Sequence, residues 1–168
     1  MKNNWTVKVF FLTFILACVF SIVANYLGKF NNIILIICIL VILFIGIIFD
    51  IIGVSVLSCD EKVLHSRASQ KIKGAKMAIK LTKNASVVSS ICNDVVGDVC
   101  GIVSGSLVTV LVINLFLNSN LSFWNVCFAS FLSSATVGGK AIGKKIAIKY
   151  SNDITYFVGK ILSLFNKN

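Results

Sequence analysis

The sequence predicts an all-α polytopic membrane protein, with about four transmembrane helices and basic amphipathic helices on the cytoplasmic side. Hydrophobic residues make up 57% of the 168 residues, which is more apolar surface than one soluble core of this size can bury. They are concentrated in long runs, and the sixteen lysines and arginines lie almost wholly between those runs. The net charge of +10 is therefore placed where anionic lipid headgroups would meet it, which indicates a lipid bilayer and not nucleic acid as the partner.

Four apolar runs are the predicted spans, at about residues 5–27, 33–58, 86–117 and 121–137 of a single transmembrane domain covering 1–168. Each is long enough to cross roughly 30 Å of hydrocarbon at about 1.5 Å per residue. The third is too long for one simple crossing, so we expect it to tilt, kink or project beyond the bilayer. The chain has no proline, so a break in these helices must come from glycine or from a polar insertion.

Two positively charged segments set the expected orientation. One lies between Cys59 and Ala85, and the other follows the fourth span. Lysine and arginine are enriched in the cytoplasmic loops of membrane proteins. We therefore expect both segments, together with the N- and C-termini, on the cytoplasmic side of the plasma membrane.

These two segments, at about 60–85 and 140–165, also have helical periodicity. In the first, apolar residues recur among lysines at Leu64, Ala68, Ile72, Ala75 and Ile79. In the second, one apolar stripe is formed by Ile154, Phe157, Val158, Ile161, Leu164 and Phe165. Basic amphipathic helices of this kind lie on the inner leaflet or dock a soluble partner, and the sequence leaves both interpretations open.

Three of the six acidic residues, Asp50, Asp94 and Asp98, fall within or at the edge of predicted spans. A charge at the centre of a bilayer costs at least about 2.5 kcal/mol on insertion scales. That cost is tolerable where the carboxylates face a cation, a polar cavity or one another. The alternative is that they lie near the cytoplasmic interface and pair with lysines.

The third span adds further oxygen-bearing residues. At about 100° per residue, its polar and small residues share one helix face, and glycines four apart on that face let another helix approach closely. Carboxylate, amide and carbonyl oxygens suit hard cations such as Mg²⁺, Ca²⁺ or Na⁺. The predicted ligands are the side chains of Asp50, Asn93, Asp94, Asp98 and Ser90, with backbone carbonyls freed near Gly97.

Three blocks of the chain, residues 49–84, 91–105 and 138–162, resemble the transmembrane domain of the CNNM/CorB/CorC family of magnesium and divalent-cation transporters. The first block resembles the family's first pore helix and the basic helices after it. The second resembles a pore helix with a characteristic asparagine, which Asn93 matches and for which Asp98 competes. The third resembles the motif that closes the last pore helix, and Gly139 and Lys144 fit its frame.

The chain also departs from the family at polar positions. Asp50 stands where the family has a serine, and Gly53 stands where it has a glutamate. Lys140 replaces the family's acid, and Gly143 replaces its proline. The resemblance implies a homodimeric transmembrane domain without the cytoplasmic nucleotide-binding modules, and it leaves a separate cytoplasmic regulatory protein as a further partner.

The expected function is membrane transport of a hard cation, foremost Mg²⁺ or another divalent, bound by intramembrane oxygens. The alternative is a non-transporting scaffold or regulatory subunit whose basic cytoplasmic helices dock a partner. We expect no enzyme and no organic cofactor, because the sequence has no paired nucleophile and base, no histidine-based metal motif and no phosphate loop.

Overall fold

The computed structural model describes residues 3–28, 31–115 and 121–165, and within these ranges all regular structure is helical. The predicted all-α fold class is therefore confirmed. The helices are α1 (Asn3–Leu27), α2 (Asn32–Ser58), α3 (Glu61–Ser69), α4 (Ala75–Lys83), α5 (Ala85–Ser90), a π-helix (Ile91–Gly97), α6 (Asp98–Leu115), α7 (Leu121–Lys149) and α8 (Ser151–Phe165).

Four helical segments of the described chain are long and apolar enough to cross a membrane: Val7–Ala24, Asn32–Ser58, Ala85–Leu115 and Val126–Lys149. They correspond to the four predicted spans, so the chain is a multi-pass membrane protein by length and composition. The fourth helix continues beyond the predicted end of its span and carries basic residues as far as Lys149. The residues between the third and fourth predicted spans, 118–120, lie outside the described residues.

The third of these segments is interrupted by the π-helix, which adds one residue to the usual turn. Two polar side chains, Asn93 and Asp94, and one glycine, Gly97, lie within it. The α-helix is therefore interrupted where polar residues and a glycine occur, as expected for a chain without proline. π-helical turns are frequent at functional sites, because they redirect side chains and loosen backbone hydrogen bonding.

The described chain forms two compact units. Unit 1 comprises Met1–Ile47 and Val95–Gly139, and its core is built from α1, α2 and α6. The centre of that core is filled by buried aliphatic residues: Leu35, Ile39, Val99, Val103, Leu107, Leu111 and Val112. Large apolar side chains on the outside of the same helices, such as Phe10 and Phe44, are more than 60% exposed, as expected for helices that face lipid.

Unit 2 comprises Ile48–Asp94 and Lys140–Asn168, and its tightest packing joins α4 to α8. A Cβ atom on Gly159 would lie 2.7 Å from the backbone nitrogen of Ala78, so only glycine allows the two helices this separation. Gly74, at the start of α4, has a φ of +93°, and a Cβ there would lie 2.6 Å from the Cα of Lys160. Two glycines therefore hold α4 against α8.

Polar contacts join α8 to the segment that follows α2. The Asn152 Oδ1 accepts hydrogen bonds from the Cys59 Sγ at 3.1 Å and from the Asp60 backbone nitrogen at 2.9 Å. Burial raises the pKa of the Cys59 thiol, which keeps the thiol protonated as a donor. The Arg67 Nη2 lies 2.6 Å from the Asp153 Oδ1.

The structure differs from the single amphipathic helix expected over residues 60–85. A turn with positive φ at Lys71 and Gly74 divides this segment into α3 and α4. Two members of the predicted apolar repeat, Leu64 and Ala75, are completely buried inside the protein. The periodicity was a signal of intramolecular packing at these positions, because helices as short as α3 and α4 need tertiary contacts to be stable.

Candidate functional site

Asp50 is the acidic residue that α2 buries. Its relative accessibility is 5%, and no hydrogen bond or ion pair joins its carboxylate to another described residue. The neighbouring turns of α2 are apolar, so the helix itself provides no counter-charge. A carboxylate removed from water without a partner is strongly unfavourable, which makes this position a candidate for binding something cationic.

Asn93 lies in the π-helix, and its amide oxygen is the second oxygen acceptor of the candidate site. Its Nδ2 donates to the Ser89 Oγ at 3.2 Å, which fixes the orientation of the amide. Its Oδ1 is buried and accepts no hydrogen bond from the described residues. The amide oxygen lies against α2 at Gly53, where an added Cβ would overlap it. A side chain at position 53 would thus occupy the place that the Asn93 oxygen fills.

Gly53 links the positions of these two side chains, because it contacts the Asn93 oxygen and lies on the same helix as Asp50. It follows Asp50 by three residues in α2, and positions three apart on a helix are neighbours, with about 5–6 Å between their Cβ positions. The Asn93 Oδ1 therefore contacts α2 about one helical turn from the residue that carries the Asp50 carboxylate. Both are acceptors, and neither has a donor among the described residues.

The other predicted ligands have different surroundings. Ser90 is half-buried and Gly97 is buried, whereas Asp94 and Asp98 are exposed. Within the described ranges, no three histidine, cysteine or acidic side chains are grouped as metal ligands would be. The prediction of one shared face assumed 100° per residue, and the π-helix changes that angle where Asn93 and Asp94 lie.

Two residues that position the oxygens were not predicted as part of the site. The buried Ser89 accepts the hydrogen bond from the Asn93 Nδ2. Ser89 precedes Asn93 by four residues, and this helical spacing is the sequence signal that predicts a contact between the two side chains. In the sequence, Gly53 stands out only as a departure from the resembled family.

No family model matches the chain, and neither a curated protein nor a solved structure is similar to it at a significant level. The class that the fold defines is a helical multi-pass membrane protein. Its candidate site combines the buried residue Asp50 with the buried Asn93 Oδ1, on two candidate membrane-spanning segments, and neither side-chain oxygen group receives a hydrogen bond from a described residue.

Proposed function

We propose that this chain is a membrane transport protein for a hard cation, foremost Mg²⁺ or another divalent. The cation binds to the Asp50 carboxylate and the Asn93 Oδ1. Two observations carry this proposal: Asp50 is a buried residue whose carboxylate receives no hydrogen bond from a described residue, and the buried Asn93 Oδ1 accepts none within the described ranges. A cation supplies the missing positive charge to both at once, and oxygen-only surroundings select hard ions over those that prefer nitrogen or sulfur.

A divalent ion fits this small set of protein ligands. Mg²⁺ keeps several of its water molecules and is usually held through only one or two carboxylates. One carboxylate and one amide oxygen would fix a hydrated ion without removing its whole shell. Weak retention by few ligands also favours release, which a transport site requires.

The resembled family agrees with this proposal in class of ion but not in detail. Its glutamate position is Gly53 here, and its serine position is Asp50. We propose that the charge has moved by three residues along the same helix, and that the Asn93 oxygen occupies the space vacated at Gly53. In this arrangement the number of acidic groups on α2 stays at one.

The test is equilibrium titration of the purified full chain in lipid nanodiscs with Mg²⁺, Ca²⁺, Mn²⁺ and Na⁺. We expect saturable heat with at least one divalent cation. The matched control is Asp94→Asn, which removes an exposed carboxylate from the span that carries Asn93. This variant should give the same heat of cation binding as the wild type. Absence of saturable heat with all four cations would remove the basis of the proposal.

For orientation, we propose that the chain lies in the plasma membrane with both termini and the helices α3, α4 and α8 on the cytoplasmic side. The support is the lysine distribution, since α3, α4 and the end of α7 carry most of the basic residues. A reporter fused after the C-terminus should be accessible only from the cytoplasm. A reporter accessible only from outside the cell would reverse this orientation.

We also propose a homodimer that forms through α6. Gly101 and Gly105 are four residues apart, and no described atom lies within 4 Å of a Cβ built at either position. This face is therefore open in a single copy, and close helix approach at small residues stabilises transmembrane association. The resemblance implies the same stoichiometry.

Gly105→Leu should shift the protein toward monomers, because a bulky side chain prevents close approach of the second α6. Subunit counting by photobleaching in nanodiscs measures the shift. The control is Ile102→Leu, which keeps an exposed apolar side chain on the same helix and should leave the dimer fraction unchanged. A wild-type protein that is monomeric in nanodiscs would contradict the proposal.

A further inference from the structure

Helix α8 has two faces with different chemistry. One face is small and polar, with Ser151, Thr155 and Gly159 all buried, and at Gly159 this face contacts α4. These residues are four apart, so they form one stripe along the helix. The side of α8 that is buried inside unit 2 is therefore built mainly from small residues.

The opposite face of α8 is apolar and uncovered. Phe157, Ile161 and Leu164 follow one another at spacings of four and three residues, and they are 60%, 40% and 72% exposed. At about 100° per residue this stripe lies roughly opposite the one that contacts α4. Within the described chain nothing buries it, although a helix with this composition normally needs an apolar surface on that side.

Exposed lysines lie on α8 beside the stripe and on α7 before it. Lys160 is exposed and flanks it on the same helix, and further exposed lysines precede α8 in the last turns of α7, at Lys144, Lys145 and Lys149. The one acidic residue of α8, Asp153, is already bound to Arg67 at 2.6 Å. The surface thus complements an anionic layer.

Tyr150, at the junction of α7 and α8, adds an amphipathic aromatic group. It is 48% exposed, and the Lys149 Nζ lies 5.2 Å from the centre of its ring. Tyrosine and lysine side chains of this kind are typical of the boundary between hydrocarbon and headgroups. Only this residue separates α8 from α7, whose segment Val126–Lys149 is a candidate span.

We propose that α8 lies in the headgroup layer of an anionic membrane leaflet. Its apolar stripe inserts between acyl chains, and the neighbouring lysines contact lipid phosphates. The direct connection to a candidate span keeps α8 close to a bilayer, and the positive surroundings select anionic lipids. This proposal does not depend on cation transport, because it rests only on the surface of unit 2.

The experiment uses the full chain with Trp5→Phe and Trp124→Phe, which removes both native tryptophans, and Phe157→Trp as a reporter. The protein is reconstituted in phosphatidylcholine vesicles with and without phosphatidylglycerol, each also prepared with brominated acyl chains. We expect blue-shifted emission and strong bromine quenching at position 157 in the anionic vesicles, and weaker quenching without phosphatidylglycerol. Hydrogen exchange of α4 that is as slow as in the wild type verifies that unit 2 is folded in each variant.

The matched control is Ser163→Trp, on the same helix but away from the apolar stripe. It should show little quenching in either vesicle. Lys160→Gln in the position-157 reporter should lower the ratio of inserted to detached α8 about fivefold, the equivalent of about 1 kcal/mol for one lysine at an anionic surface.

Three results would overturn the proposal. The first is unquenched, water-like emission at position 157 in both kinds of vesicle. The second is equal quenching with and without phosphatidylglycerol, which would exclude selection by lipid charge. The third is protection of position 157 only after a soluble protein is added, which would make the stripe a protein-docking surface.

Discussion

Asp50→Asn should abolish the stabilisation of the protein by divalent cations. A ligand that binds only the folded state at a hundred times its Kd raises the free energy of unfolding by about 2.7 kcal/mol. The asparagine retains the size of the side chain but removes the negative charge that attracts the ion. Thermal unfolding in nanodiscs, with and without excess Mg²⁺, measures the difference directly.

The cation-free protein provides a second signature of the same substitution. Asp50 is buried without a partner among the described residues, so the wild-type protein without cation bears the cost of an uncompensated acidic group. Asp50→Asn should therefore unfold at the same temperature as the cation-free wild type or at a higher one. A variant that is less stable in the absence of cation and still responds to Mg²⁺ would show that Asp50 has a structural role. Asp94→Asn is the control, and it should retain the full response.

Gly74→Ala should destabilise unit 2 by about 2–5 kcal/mol. The left-handed backbone conformation at Gly74 costs a residue with a Cβ about 1–2 kcal/mol. The added Cβ also meets the Lys160 Cα at 2.6 Å, and such overpacking costs about 1–3 kcal/mol. Hydrogen exchange of α4 and α8 measures the loss, because both helices depend on this contact.

The control for this prediction is Gly138→Ala. A Cβ at Gly138 has no described atom within 4 Å, and this glycine lies within helix α7. Alanine is favoured over glycine in a helix by about 1 kcal/mol, so exchange should stay the same or become slower. Equal acceleration by both substitutions would mean that the α4–α8 contact does not determine the stability of unit 2.

The membrane-spanning architecture was predictable from the sequence, because it follows from composition and run length. A stretch such as Asn32–Ser58 has almost no polar residue, so it has no stable alternative to a long apolar helix. The four spans could be assigned without knowing which helices are in contact. Their ends were less predictable: α7 continues to Lys149 because lysines are good helix formers and do not terminate a helix.

The site was only partly predictable, because its geometry depends on tertiary contacts. Asp50 and Asn93 are both predicted ligands; Asp50 is a buried residue, and the buried Asn93 Oδ1 accepts no hydrogen bond from the described residues. Asp94 was assigned to the same face on regular α-helical geometry, but it is exposed, and the intervening π-helix changes that geometry. Nothing in the local sequence fixes where a π-helix begins, since it arises when one residue is accommodated by packing.

Helical periodicity also could not predict that the apolar residues of the two basic segments differ in burial. The repeats at Ala75 in α4 and at Phe157 in α8 look alike in sequence, yet Ala75 is buried and Phe157 is 60% exposed. The difference comes from Gly159, which lets α4 approach α8 on one face only. A helical pattern predicts that a face is covered, but it does not say whether protein or lipid covers it.

The entry of Mn²⁺ into proteoliposomes, monitored by quenching of an enclosed fluorescent chelator, tests most directly whether Asp50 and Asn93 form a transport site. Wild-type protein and Asp94→Asn should admit the ion faster than protein-free vesicles do, and Asp50→Asn should reduce entry to the protein-free rate. Equal entry for wild type and Asp50→Asn would contradict the account. Binding without entry by the wild type would instead favour a non-transporting regulatory subunit.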